Sequence, residues 1–183
     1  MALDEILSRL GPAATTVLID GRSGSGKSTL AAQLHESWAD SVVVRLDDIY
    51  PGWDGLAWAA EHVQHSLLEP RAAGCNGHWR QWDWATAAPS GHHEVTPGQR
   101  LIVEGIGTLT PAGRALADLG IWVDADDTER RRRALDRDGE TYRPHWDRWA
   151  AQEDEFIARF HPRACSDLIA VLTAGRFEFT APG

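Results

Sequence analysis

Five short apolar runs punctuate the chain, at residues 17–20, 42–46, 101–104, 121–124 and 168–172, and helical spacing fills the intervals between them. Runs of this length that are apolar at nearly every position suit strands buried on both faces, and their alternation with helices predicts a parallel sheet covered on both sides. Leu3, Ile6, Leu7 and Leu10 share one helical face, stopped by Gly11-Pro12. A second helix is expected to begin at Ser28, and a third near Asp54, with Leu56, Ala60, Val63 and Leu67 on one face and an end near Pro70. Residues 111–119 suit a short helix. Asp127 or Thr128 is placed to cap the next one, which runs to about Asp138 and is ended by Gly139. A last helix, from about Pro144 to Phe160, carries Trp146, Trp149, Glu153 and Phe156 at helical spacing and is read as packed on the sheet. The expected architecture is α/β: a five-stranded parallel sheet flanked by helices, in one domain spanning residues 1–183. Residues 71–98, rich in Gly, Pro, Trp and His, read as an irregular excursion or hairpin on the substrate side.

Composition narrows the function classes. A formal charge of −9 argues against a general nucleic-acid surface. No apolar run approaches the ~20 residues of a membrane span, and the first residues lack a basic-then-apolar export signal. Two cysteines, Cys75 and Cys165, build no disulfide framework, which suits a reducing, cytoplasmic setting. Cys75, His78, His92 and His93 match no zinc spacing and read as a polar loop without metal. Nine tryptophans stand out, and five of them (Trp53, Trp58, Trp79, Trp82, Trp84) follow the second strand. They suit core packing, or a pocket that stacks on a flat substrate.

Lys27 is the only lysine; the chain uses arginine at its other seventeen Lys/Arg positions. It sits in Gly21, Arg22, Ser23, Gly24, Ser25, Gly26, Lys27, Ser28 and Thr29, which fits the phosphate-cradling G-x-x-x-x-G-K-[ST] pattern in full. A strand precedes the glycines and a helix follows, so backbone N–H groups and the positive helix end converge on an anion. A compact ammonium reaching the β- and γ-phosphates is a different tool from a guanidinium. The loop therefore predicts binding of a nucleoside triphosphate, ATP, with Ser28 placing its hydroxyl on Mg²⁺.

Ligands of such sheets collect at the carboxyl ends of the strands. Asp20, Asp47-Asp48, Glu104 and Asp124 all close strands there. Asp47 and Glu104 are the natural pair for accepting a hydroxyl proton and holding the metal, although a strand-end acid also suits a helix cap. Arg130, Arg133 and Arg137 share a helical face. With Arg143 beyond Gly139 they suit a cationic lid, 128–145, over the transferring phosphoryl group, or a solvated face paired with neighbouring acids. A guanine-reading N-K-x-D segment needs a second lysine, which excludes that type of GTPase. The L-S-G-G-Q signature of transporter ATPases is absent, and AAA-type motors are set aside for want of a following helical domain. A non-catalytic nucleotide sensor stays open as the rival class.

In order along the chain these segments resemble the uridine kinase-like branch of P-loop kinases, which includes phosphoribulokinase and pantothenate kinase relatives. The loop is similar to that branch's G-x-S-G-S-G-K-S/T, Asp47-Asp48-Ile49-Tyr50 to D-S-F-Y, Trp82-Asp83-Trp84 to Y-D-F/W, and residues 101–105 to V-x-x-E-G. Arg130, Arg133, Arg137 and Asp138 follow the spacing of its lid helix. The resemblance implies a P-loop NTPase fold and a kinase that moves the ATP γ-phosphate to a hydroxyl. It implies Asp47 as base, Ser28 and Glu104 at the Mg²⁺, Lys27, Arg133 and Arg137 on the phosphates, and Tyr50 on the acceptor. Trp53 and Trp82 lie on neighbouring segments and join Tyr50 as candidate acceptor contacts. Trp84 is followed by Ala85-Thr86-Ala87-Ala88 where uridine kinases carry T-H-S-R, so the acceptor is open among nucleosides, sugars, sugar acids (with Arg80 as the anion partner) and vitamin precursors. The expected partner is this small molecule, with no nucleic acid or membrane, and self-association left open.

Overall fold

The computed structural model describes residues 3–183. In chain order the strands are β1 (Thr16–Asp20), β2 (Ser41–Arg45), β3 (Gly77–Asp83), β4 (Ala88–Val95), β5 (Arg100–Glu104), β6 (Leu119–Asp124), β7 (Leu168–Thr173) and β8 (Arg176–Thr180). Six of them form one sheet in the order β2-β5-β1-β6-β7-β8, and β3 pairs with β4 in a separate antiparallel hairpin. The five strands expected from the apolar runs are all present and mutually parallel. The sixth, β8, runs antiparallel to β7 at the edge. Two residues with positive φ, Ala174 and Gly175, make its turn, and Phe177 and Phe179 alternate with polar neighbours. That is a hairpin signal, but the strand is too short and polar to register as an apolar run.

The pleat sends successive side chains to opposite faces, and two cores result. Leu18, Leu101, Val103 and Trp122 join one; Val17, Ile19, Ile102, Ile121 and Val123 join the other. Helix α1 (Leu3–Leu10) and helix α2 (Lys27–Ser37) cover the second face through Ile6, Leu30, Ala31 and Leu34. The first face takes α3 (Leu56–His62) and its continuation through a π-helical stretch, Val63–Leu68, into α4 (Glu69–Ala72). The helix ends at Ala72, two residues past Pro70 and close to the expected end. The buried guanidinium of Arg71 donates to the carbonyls of Thr96, Gln99 and Thr15, fastening the foot of the β3–β4 hairpin to the sheet.

Further along, α5 (Pro111–Ala115) is shorter than expected, because Leu119 already belongs to β6. Helix α6 (Asp127–Tyr142) is capped by Asp126, not by Asp127 or Thr128: the Asp126 carboxylate accepts from the N–H groups of Thr128 and Glu129. Gly139, at φ 52° and ψ −131°, breaks the helical geometry where a break was expected, yet the chain resumes helix to Tyr142. After one 3-10 turn, α7 (Trp146–Phe160) buries Trp146, Trp149, Glu153 and Phe156, the four residues its spacing singled out. A single turn, α8 (Pro162–Cys165), leads into β7. No helix among the described residues is long and apolar enough to cross a membrane.

Candidate active site

The glycines of residues 21–29 are required by geometry. Gly21, Gly24 and Gly26 have φ of 151°, 78° and 110°. A Cβ on Gly21 would run into the Val123 carbonyl, and one on Gly24 into the Arg130 carbonyl. The loop is thus pressed between the end of β6 and the start of α6, and only glycine allows it. Behind it the buried Asp20 carboxylate accepts from the N–H groups of Gly21 (2.6 Å), Leu109 (2.8 Å) and Gly107 (3.2 Å). Burial pushes its pKa up to about 6, against these bonds and the charge of Lys27. Asp20 is a brace for two loops. Ser23 N–H bonds to Glu153 and Ser25 N–H to the Arg22 carbonyl. The N–H groups of Gly24, Gly26, Lys27, Ser28 and Thr29 have no partner among the described residues. They cluster at the start of α2, which makes an anion cradle.

Around the cradle stand the groups that phosphate chemistry needs. Lys27 Nζ donates to the Arg22 carbonyl at 3.1 Å. Ser28 Oγ donates to Glu104 Oε1 at 2.8 Å, and Arg45 Nε lies 4.0 Å from the same oxygen. Burial raises the Glu104 carboxyl above its usual range, with Lys27 opposing. Two oxygen ligands in contact, one of them a buried carboxylate, fit a hard divalent cation such as Mg²⁺. Among the described residues the Asp47 carboxylate has no hydrogen bond or ion pair, and it stands at the open end of β2. Arg137 is paired with Asp138 through two bonds of 2.9 and 2.6 Å. Arg133 gives its Nε to Glu129 and holds a buried amino group without a hydrogen-bond partner. Arg130, grouped with them in the lid, is 7% exposed at its side chain and pairs with Asp127 and Glu153 under Trp146. It belongs to the packing of α6 on α7. Arg143 is exposed and pairs with Glu140.

A cleft of about 610 Å³ opens on this group. Its lining combines Ser23, Ser28, Asp47 and Arg137 with an aromatic wall of Tyr50, Trp53, Trp84, Tyr142 and Trp149, and with Arg45, Asp48, Asp138 and Thr141 as further polar positions. Trp53 is the centre of the wall, stacked on His145 (4.4 Å) and Tyr142 (5.4 Å) and 4.9 Å from Trp84. Tyr50 is 2% exposed and its hydroxyl donates to the Ile106 carbonyl, so it presents a ring edge and not a free hydroxyl. Burial holds that phenol well above its ordinary pKa. Asp48 is half-buried with its carboxyl raised by burial and by Asp47.

Most of the site residues expected from sequence thus meet in one place: the loop, Lys27, Ser28, Glu104, Asp47, Tyr50, Trp53 and Arg137. Trp82 does not line the cleft; its indole N–H is buried without a partner, and Trp84, two residues on, takes the wall position. The Arg22 side chain turns back to Glu153 and Asp154, and Thr29 is exposed. Arg80, the guanidinium considered for a sugar acid, stacks over Trp58 at 4.6 Å, outside the cleft lining. The sequence reading missed Trp84, Trp149 and Tyr142 as wall residues, and Glu153 as a partner of the loop. The one available signal was a carboxylate in the apolar stripe of α7.

Against known proteins, a family model described as an AAA domain matches residues 17–157. Setting aside AAA-type motors therefore does not extend to that family. No protein of curated function matches the chain. Among solved structures, a possible uridine kinase from Bacillus stearothermophilus superposes with a TM-score of 0.65 at 21% identity, covering 91% of this chain and 94% of that one. Phosphoribulokinase from Rhodobacter spheroides gives 0.55 at 15% identity, over 87% and 70%. Likeness at this level of identity shows a shared fold.

Proposed function

Because the chain belongs to the AAA domain family of P-loop proteins, we propose that it is an ATP-dependent kinase that transfers the γ-phosphate to a hydroxyl of a small, flat-ringed acceptor, most like a nucleoside such as uridine. The observation that carries this reading is the cleft itself. Its lining brings a carboxylate without a hydrogen-bond partner, Asp47, together with Ser23 and Ser28 of the anion cradle and with an aromatic wall. A protein that only sensed a nucleotide has no use for that arrangement.

In the proposed reaction the acceptor hydroxyl oxygen attacks the γ-phosphorus, the bond to the β–γ bridging oxygen breaks, and ADP leaves. Asp47 takes the hydroxyl proton. The N–H groups of Gly24, Gly26, Lys27, Ser28 and Thr29 hold the β- and γ-phosphates. Lys27 exchanges the Arg22 carbonyl for phosphate oxygens, a contact between full charges in place of one with a dipole. Arg137, in the same cleft lining, meets charge developing on the transferring group. Ser28 and Glu104 are the residues that would hold Mg²⁺, which supplies charge neutralisation on the phosphates when bound. Trp53 and Trp84 are the faces on which the acceptor ring stacks.

The test is ATP consumption by the purified protein across nucleosides, sugars and vitamin precursors, with Lys27→Ala as control. One acceptor class should stimulate turnover. Lys27→Ala should lower that turnover by roughly 10²–10³, the scale for one lost transition-state contact, with an unchanged melting curve. ATP bound through Lys27 but never turned over with any acceptor would leave the sensor reading standing in its place.

A further inference from the structure

Glu153 lies in the middle of α7, 1% exposed, within the stripe that otherwise buries Trp146, Trp149 and Phe156. A carboxylate at such a position needs partners. Its partners come from a segment 130 residues away. Oε1 accepts from Ser23 N–H (2.8 Å) and Ser23 Oγ (2.7 Å), Oε2 accepts from Arg22 Nε (3.0 Å), and Arg130 stands 3.7 Å from Oε2.

The Ser23 N–H and the Arg22 carbonyl are the two ends of one peptide unit. Glu153 holds the first end. The second receives Lys27 Nζ and Ser25 N–H, each at 3.1 Å. Turning this peptide over would aim its carbonyl at the carboxylate and its N–H at an ammonium and another N–H. Both contacts would be repulsive, so the carboxylate selects one orientation. The same carboxylate reaches Arg130, whose own carbonyl closes over Gly24. The loop is thereby registered against α7 on one side and the start of α6 on the other.

We infer that Glu153 is a positioning residue of the phosphate loop: it orients the Arg22–Ser23 peptide and through it sets the resting place of Lys27. The inference rests on the ATP-binding reading above. Glu153 touches no phosphate in this account. It takes a single N–H of the loop and leaves those of Gly24, Gly26, Lys27 and Ser28 to the anion. Removing the carboxylate alone leaves the buried Arg130 without its partner and so costs stability in any case; the positioning role is therefore read from ATP affinity and its dependence on Lys27, not from stability.

The experiment measures ATP dissociation constants by calorimetry for the wild type, Glu153→Leu, Glu153→Gln and each combined with Lys27→Ala, alongside melting curves. Glu153→Leu should weaken ATP by about tenfold or more, the loss of one charge-assisted bond. Glu153→Gln, which keeps an acceptor for Ser23, should recover part of that loss. In the Lys27→Ala background neither substitution should weaken ATP further, because the group being positioned is gone. Wild-type affinity in a folded Glu153→Leu, or an equal loss with and without Lys27, overturns the positioning role. Should Glu153→Leu not fold, the same comparison is made with Glu153→Gln and decides in the same way. Wild-type protein that shows no Lys27-dependent ATP binding overturns the nucleotide reading as well, so the two failures are told apart.

Discussion

In the proposed reaction the cleft has a phosphate end and an acceptor end, and the residues assigned to the two are built on different principles. At the phosphate end the recognising groups are backbone N–H groups, and the side chains behind them are buried and paired: Asp20 on three N–H groups, Glu153 on Arg22 and Ser23, Ser28 on Glu104. At the acceptor end the surfaces are aromatic rings from the segment after β2, from the hairpin, from the end of α6 and from α7. Their polar companions, the carboxylates of Asp47 and Asp48, have no hydrogen-bond partner among the described residues. The first end is assembled before any ligand arrives, while the second leaves its polar groups to be satisfied by what binds. A fixed donor needs only one site geometry. An acceptor is chosen by side chains that can be exchanged without disturbing the loop.

The largest effect separating the two ends is expected at Asp47. Replacing it by Asn keeps the shape and removes the proton acceptor, so turnover should fall by roughly 10²–10⁴ with the KM for ATP nearly unchanged. Glu104→Gln, at the phosphate end, should instead raise the Mg²⁺ concentration needed for half-maximal rate, because a neutral amide is a poorer ligand for a hard cation. Steady-state kinetics with ATP, acceptor and Mg²⁺ varied in turn read both. If Asp47→Asn lost ATP affinity and kept its turnover, Asp47 would have to be moved to the phosphate end.

The same division explains what could be read from residues alone. The phosphate end is local: nine consecutive residues between a strand and a helix carry it, and their glycines are fixed by φ and by close approach to Val123 and Arg130. The parallel strands were legible because burial on both faces makes them apolar throughout, whereas β8, on the sheet edge with one exposed face, was not. The acceptor end is assembled from distant segments, and alternation does not say which tryptophan of the hairpin faces inward. Trp82 is the penultimate residue of β3, whereas Trp84 already lies in the turn beyond Asp83, where strand alternation no longer holds. Glu153 was placed correctly on a packed helix face, but its partners at Arg22 and Ser23 are a tertiary fact with no local signature.

A smaller effect should appear at the brace behind the loop. Asp20 has its folded-state pKa raised from 3.8 to about 6, by burial. A carboxyl that binds its proton more tightly when folded adds stability below about pH 4 and loses that contribution as pH rises through about 6. Asp20→Asn does not titrate. Its urea midpoint relative to the wild type should therefore climb between pH 4 and pH 7, even though the amide is the poorer acceptor for three N–H groups. A constant difference across that range would mean that Asp20 stays ionised and that the N–H bonds outweigh its burial.

The finest comparison lies within the acceptor end, between Trp82 and Trp84. The sequence expectation puts Trp82 against the acceptor ring, whereas the cleft puts Trp84 there, 40% exposed, with its N–H on the Asp47 carbonyl at 2.8 Å and its ring beside Trp53. Stacking of a flat ring on one aromatic side chain is worth about 1–3 kcal/mol. Trp84→Ala should therefore raise the acceptor KM roughly five- to a hundredfold and lower the melting temperature less than the Trp82 change does, since Trp84 is the more exposed of the two. Trp82→Ala should do the reverse. It should lower the melting temperature, at a cost in stability below the ~3–5 kcal/mol that a fully buried tryptophan carries, because Trp82 is half-buried, and it should hold the acceptor KM near the wild-type value. The pair of variants, each measured once for KM and once for melting, assigns the wall. A KM that rises in Trp82→Ala and not in Trp84→Ala would return the acceptor ring to Trp82 and require the hairpin to turn on binding.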